Sequence, residues 1–105
     1  KHHWVAYGKR LSGSITIDEG CTKAVLNHGA SILPAGIIEV DGSFEPGDTV
    51  SIIAKGKEIA RGLVNYSSTD LLKIRGHNTQ DIARVLEIDT TYDEVVHRNN
   101  LVIIH

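Results

Sequence analysis

Six histidines, one cysteine and 13 carboxylates are the groups in this 105-residue chain that could do acid–base, nucleophilic or metal chemistry. Their spacing argues against a catalytic or metal centre. His2 and His3 adjoin near the start, His28 and His77 fall near expected helix ends, and His97 and His105 fall at expected strand ends. None forms a His-x-x-x-His pair and Cys21 has no second cysteine, so no metal site is expected. A phosphate-cradling loop must end in Gly-Lys followed by a hydroxyl that holds magnesium. Here Gly8-Lys9 runs into Arg10 and Gly56-Lys57 into Glu58. No Gly-x-Ser-x-Gly elbow is present, and Cys21 lies on the apolar face of an expected helix, where an inert buried thiol is the simpler reading than a nucleophile. Asn65-Tyr66-Ser67 fits the glycosylation pattern but sits at an expected strand end, and we read it as coincidence.

Two segments stand out for binding rather than catalysis. In Gly29 to Ile37 the two glycines Gly29 and Gly36 leave the main chain sterically open and Pro34 restricts the loop's shape, so a nucleic-acid backbone could approach closely. The plainer alternative is that these glycines serve only the turn and the helix cap. The second segment, Ala60 to Ser68, carries Arg61. With Lys9, Arg10, Lys73 and Arg75 it offers a local basic face, whereas an ordinary mixed-sign surface is the simpler reading of the same charges.

The elements that must position these residues follow from local signals. Ser14-Ile15-Thr16-Ile17 alternates polar and β-branched residues as a half-buried strand does. Asp18 is placed to cap a helix whose first turn holds Glu19, whose apolar face is Cys21, Ala24, Val25 and His28, and which ends at Gly29. A strand is expected over Ile37 to Val40, then turns at Asp41-Gly42 and Glu45-Pro46-Gly47-Asp48. Thr49 to Ala54 and Glu58 to Tyr66 read as a hairpin joined at Lys55-Gly56-Lys57. Apolar residues on both parities of the second strand predict that it is central and covered on two sides. Ser67 with Asp70, and Asn78 with Asp81, are capping patterns for two short helices, ending at Gly76 and near Leu86. Glu94 to His97 and Leu101 to Ile104 are expected as closing strands.

Composition bounds the rest. The length suits one domain spanning residues 1–105, and 41% hydrophobic residues suffice for a core, so disorder is excluded. The longest apolar runs, such as Leu101 to Ile104, fall far short of the ~20 residues of a membrane span. Lys1-His2-His3-Trp4 opens no apolar run, so no secretory leader is expected, and a lone cysteine suits a reducing, cytoplasmic setting. The net charge of −2 removes the strong global field of a protein that binds nucleic acid mainly through charge. Bases and acids instead alternate in blocks: Lys1, Lys9 and Arg10; then Glu39, Asp41, Glu45 and Asp48; then Lys55 to Arg75; then Asp81 to Glu94. There is no internal repeat, and the pattern predicts a mainly β, α+β domain: a small barrel with short helices inserted.

At the two binding segments the sequence becomes specific. Gly29-x-Ser31-Ile32-Leu33-Pro34-Ala35-Gly36-Ile37 resembles the helix-to-strand loop of the PUA domain, a pseudo-barrel of about six strands. The stretches Gly13 to Gly20, Gly42 to Asp48, Glu58 to Ser68 and Val96 to Val102 narrow the likeness to the PUA domains that close bacterial glutamate 5-kinases. The Ala60-Arg61-Gly62-Leu63-Val64-Asn65-Tyr66-Ser67-Ser68 run is the most distinctive. The resemblance implies a part of a longer enzyme, in which a preceding amino-acid kinase domain phosphorylates the γ-carboxylate of glutamate in proline synthesis. The ATP, magnesium, glutamate and proline-feedback sites would belong to that domain, leaving this stretch with no cofactor and no catalytic residue of its own.

Two roles remain for the domain. As an RNA-binding module, a role the resemblance also implies, it would use Gly29, Leu33, Pro34, Ala35, Gly36 and Ile37, with Lys9, Arg10, Arg61, Lys73 or Arg75 on phosphates. As a structural or regulatory module it would pack on the kinase domain of the same chain or on a neighbouring subunit. The acidic balance and the few aromatics able to stack bases (Trp4, Tyr7, Phe44, Tyr66 and Tyr92) favour the second.

Overall fold

A computed structural model describes residues 10–89 and 91–104 of the chain. The strand expected from Ser14 begins earlier, as β1 (Leu11–Ile17), and buries Ile15 and Ile17. Asp18 caps α1 (Glu19–His28), its Oδ1 accepting the Cys21 amide at 2.7 Å, and Gly29 ends the helix at φ +60°. A 3-10 turn (Pro34–Gly36) leads into β2 (Ile37–Gly42), followed by β3 (Thr49–Ala54) and β4 (Lys57–Leu63). Lys55 and Gly56 both have positive φ, 53° and 75°, as a two-residue hairpin turn that follows strand twist requires. Then come α2 (Ser68–Ile74), a 3-10 turn (Thr79–Asp81) running into α3 (Ile82–Leu86), another 3-10 turn (Arg98–Asn100) and β5 (Leu101–Ile103).

The sheet order is β2-β1-β3-β4-β5, with β1 and β3 parallel and the other neighbours antiparallel. Among the described residues β2 and β5 are its edge strands and are not paired with each other. In the core Ile15, Ile52, Ala60, Leu71, Ile74 and Ile82 are fully shielded. Among the described residues no helix is long and apolar enough to cross a membrane.

Three expectations need correcting. The central, doubly covered strand is β3, buried at every residue but Ile53, and not β4. The mixed parity of β4 is a bulge. Ile52 faces Ala60 and Ile53 faces Glu58, so Ile59 is the extra residue and the pattern slips by one there. The same strand stops at Leu63 because β3 begins at its partner, Thr49. Val64 bonds instead with the Glu45–Asp48 turn, donating to the Asp48 carbonyl (3.0 Å) and accepting from the Gly47 amide (2.8 Å). Finally, the strand expected at Glu94 to His97 is a single bridge between Val96 and Ile32, so among the described residues the sheet has five strands. Pro34, which has no N–H, bounds that bridge on one side and the turn starting at Arg98 bounds it on the other, which leaves no room for a ladder. A smaller departure is Asn78, whose side chain caps no amide.

Candidate functional site

The Gly29–Ile37 loop is held from both ends and from below. The Gly29 and Ala30 amides both donate to the Ala24 carbonyl. The Ile32 amide donates to Val96 O at 2.9 Å and Ile32 O accepts from the Val95 amide at 2.7 Å. Pro34 O accepts from Ile37 and from Gly76, the latter at 2.8 Å. Gly36 donates to Leu33 O at 3.1 Å and accepts from the Asp18 amide at 2.9 Å. Both loop glycines that seemed to offer open amides therefore use them inside the fold. Gly36 is required by close approach to α1: a Cβ there would lie 2.7 Å from Cys21 Cβ and 3.0 Å from its Sγ, tighter than packing permits.

Of the loop's side chains, Ile32, Pro34 and Ile37 are buried and Leu33 and Ala35 are exposed. A shallow groove of about 340 Å³ runs between α1 and the loop, lined by Cys21, Ala24, Leu33, Ala35 and Gly36 with Asp18 at one end. Burial, and then the neighbouring Asp18 carboxylate, push the Cys21 thiol up to about 11, against the opposing effect of a hydrogen bond from the Leu33 amide. Cys21 should therefore be unreactive. At pH 8 its thiolate population should be about 100-fold below that of a thiol with the ordinary value. Ellman's reagent should label it correspondingly slowly in the folded chain and at the free-thiol rate in denaturant; fast labelling of the folded chain would contradict the burial. Because the folded value is the higher one, this thiol's stabilising contribution is complete below pH 9 and is lost as pH rises toward 11.

The structure brings only some of the basic candidates to this loop. Lys73 and Arg75 are exposed at the end of α2, which the Gly76–Pro34 hydrogen bond ties to the loop, and Arg75 Nη1 donates to Ile38 O at 2.6 Å. Arg61 lies on β4, three strands away from β2, or about 14 Å at ordinary spacing. It is ion-paired with Glu58, Nε to Oε2 at 2.9 Å and Nη2 to Oε1 at 3.2 Å, and Ser51 donates to the same carboxylate at 2.6 Å. Hydrogen bonding from Arg61 holds the Glu58 carboxyl below its usual range. Arg10 is exposed just ahead of β1, and Lys9 lies outside the described residues.

The aromatics offer little to a base. Phe44 and Tyr66 are buried, while Tyr92 is 61% exposed; Trp4 and Tyr7 lie outside the described residues. The Tyr66 hydroxyl donates to Tyr92 O at 2.5 Å and accepts the Tyr92 amide at 2.9 Å, with the two rings edge to face at 6.3 Å. Burial raises the Tyr66 phenol above its usual value. Asn65, the sequon residue, donates its side-chain amide to Glu94 O at 2.9 Å. Among the described residues no three His, Cys, Asp or Glu side chains gather as a metal site. Sequence reasoning missed the exposed Ile38, bulged out of β2, and an apolar groove on the other side of α1. The parity slip at Ile59 was the one available signal for that groove.

The fold built on this five-stranded mixed sheet among the described residues is similar to those of known small domains. Residues 13–86 match the PUA domain family, and the chain belongs to that family. A PUA domain from Aeropyrum pernix K1, solved as a tartrate complex, superposes with TM-score 0.58 at 22% identity, covering 90% of this chain and 48% of that one. A PUA domain protein from Thermoplasma acidophilum gives TM-score 0.54 at 23% identity, over 88% of this chain and 47% of its own. More specifically, the chain is 46% identical over 102 residues to the glutamate 5-kinase of Thermoanaerobacter sp. (strain X514), 96% of this chain and 27% of that protein. It is 49% identical over 104 residues to that of Dictyoglomus turgidum, 98% of this chain and 28% of that protein. The chain thus spans little more than a quarter of these relatives.

Proposed function

We propose that this chain is the accessory PUA module of a glutamate 5-kinase and acts as a structural or regulatory element on that enzyme's kinase domain. The observation that carries the reading is near end-to-end identity of 46–49% with enzymes of which the chain spans 27–28%. The parent reaction, ATP-dependent phosphorylation of L-glutamate to glutamyl 5-phosphate in proline biosynthesis, would then take place in the remaining polypeptide with ATP and magnesium bound there. A free thiol and a metabolic parent fit a cytoplasmic location. The geometry of the loop favours this role over RNA binding: its two glycine amides are engaged, three of its side chains (Ile32, Pro34 and Ile37) are buried, and Arg61 is ion-paired.

RNA binding keeps one supporting feature, the proximity of Lys73 and Arg75 to the exposed Leu33 and Ala35. The two readings separate in two measurements. Deleting residues 1–105 from the full-length enzyme should change its proline inhibition, assembly or thermal stability; no change in any of the three would end the regulatory reading. If instead RNA is the ligand and about three phosphates are neutralised, raising salt from about 50 to 200 mM should weaken binding of a single strand roughly twentyfold. Absence of saturation at micromolar RNA in low salt would remove that alternative for the strands tried.

A further inference from the structure

The groove missed by the sequence lies on the side of α1 opposite the Gly29–Ile37 loop. Glu19, Thr22, Lys23 and Leu26 face it, whereas Gly20, Cys21 and Ala24 face the loop, and at 100° per residue these sets point in opposite directions. It consists of two adjoining depressions, about 360 and 560 Å³, that share Lys57 and Ile59. Ile17, Ala54 and Ile59 floor the first, and Leu26, Ile103 and Ile104 the second. The β4 bulge turns Ile59 into this groove, and the Ile104 amide, donating to Ile59 O at 2.8 Å, fixes the wall beyond β5. Leu26 is 46% exposed there.

The rim is cationic. Lys23, Lys55 and Lys57 stand around the apolar floor. Lys55 stands 3.9 Å from Glu19, with both side chains largely in solvent, so those two charges offset and the excess at the rim is carried by Lys23 and Lys57. The nearby Glu58 carboxylate is taken by Arg61 and Ser51. Among the described residues Lys23 and Lys57 have no ion-pair partner. An apolar floor under the uncompensated Lys23 and Lys57, in a chain whose net charge is −2, is complementary to an acidic segment carrying aliphatic anchors.

From this we infer that the α1–β4–β5 groove is the face on which the domain receives an acidic, aliphatic-anchored segment from the remainder of its parent kinase chain. The inference rests on the proposed role as a module of that enzyme. Nearly three-quarters of the relatives' length lies outside this chain, so such a segment has ample polypeptide to come from.

Hydrogen exchange measured by mass spectrometry on the full-length enzyme and on this 105-residue chain tests it. At low salt, amides of Lys23–Leu26, Ile59 and Val102–Ile104 should exchange about tenfold more slowly in the full-length enzyme. The double variant Lys23→Glu/Lys57→Glu in the full-length enzyme should abolish that difference. Both lysines are exposed, so an unchanged melting temperature of the same variant in the 105-residue chain will show that the fold is intact. Groove protection that survives the double variant would overturn the acidic occupant. Protection confined to another face, such as Ile38, Leu72 and Arg75, would overturn the groove while leaving the module packed on its kinase. No protection anywhere would overturn both.

Discussion

Replacing Val64 with aspartate should unfold the domain. Val64 is 1% exposed and belongs to the continuous core that includes Val50, Ile52, Leu71 and Val95. Its main chain is fixed on both sides by the Glu45–Asp48 turn, so the side chain cannot swing outward to reach water. An unpaired carboxylate there costs several kcal/mol, against a total stability of about 5–15 kcal/mol for an ordinary domain. Val64→Ala, which removes two methyl groups and leaves a small void, should cost only about 2 kcal/mol. The two variants also differ in pH response. Burial raises the pKa of the introduced carboxyl above its unfolded value, so its penalty is greatest at neutral pH and shrinks as the pH falls. Thermal melts followed by circular dichroism at pH 7 and pH 4.5 check this. A Val64→Asp melt at pH 7 that matches the parent would mean that the side chain is not in the core.

Val64 also shows which parts of the structure a sequence makes visible. Its burial follows from the hydrophobic pattern, yet the strand expected to contain it ends one residue earlier, because the end of β4 is set by where β3 begins. Local devices are legible for the opposite reason, since each is complete within a few residues. Asp18 with Cys21, Ser67 with Asp70, and Gly29 after His28 all cap as their spacing predicts. Asn78 fits the same spacing, but the chain there enters a 3-10 turn whose Asp81 amide goes to the Asn78 main-chain carbonyl, so the side chain has no amide to take. The candidate loop divides along the same line. Its position and its Gly and Pro residues are readable. The inward direction of its amides depends on Ala24, Asp18 and Gly76, and the need for Gly36 depends on Cys21, fifteen positions earlier. Arg61 looked like a free phosphate partner because its spacing to Glu58 within a strand does not show that a bulge at Ile59 brings the two together.

The same non-local logic makes Gly62, like Gly13, a glycine that cannot accept a side chain although its backbone would tolerate one. Its φ is not in the left-handed region, so the constraint is one of space rather than conformation. A Cβ there would lie 2.5 Å from Val96 Cγ1, 2.9 Å from the Asn100 carbonyl oxygen and 3.2 Å from Leu101 Cδ1. Val96 cannot retreat, being fully buried and held by the Ile32 bridge that anchors the candidate loop. The Asn100 oxygen is main chain in the turn that starts β5, and among the described residues β5 pairs only with β4. Gly62→Ala should therefore cost about 3 kcal/mol, at the upper end of ordinary overpacking, and Gly62→Val more. Val96→Ala should cost about 2 kcal/mol for the void it leaves. Combined with Gly62→Ala it removes one of the three close contacts, so the double variant should be more stable than the two single costs predict by about 1 kcal/mol or more. Strict additivity in urea melts would show that Val96 and Gly62 do not meet. Since the Val96 bridge also holds Ile32, Gly62→Ala should further speed hydrogen exchange at the Ile32 and Val95 amides relative to Val25 in α1. That would connect a packing defect in the sheet with loosening of the loop beside α1.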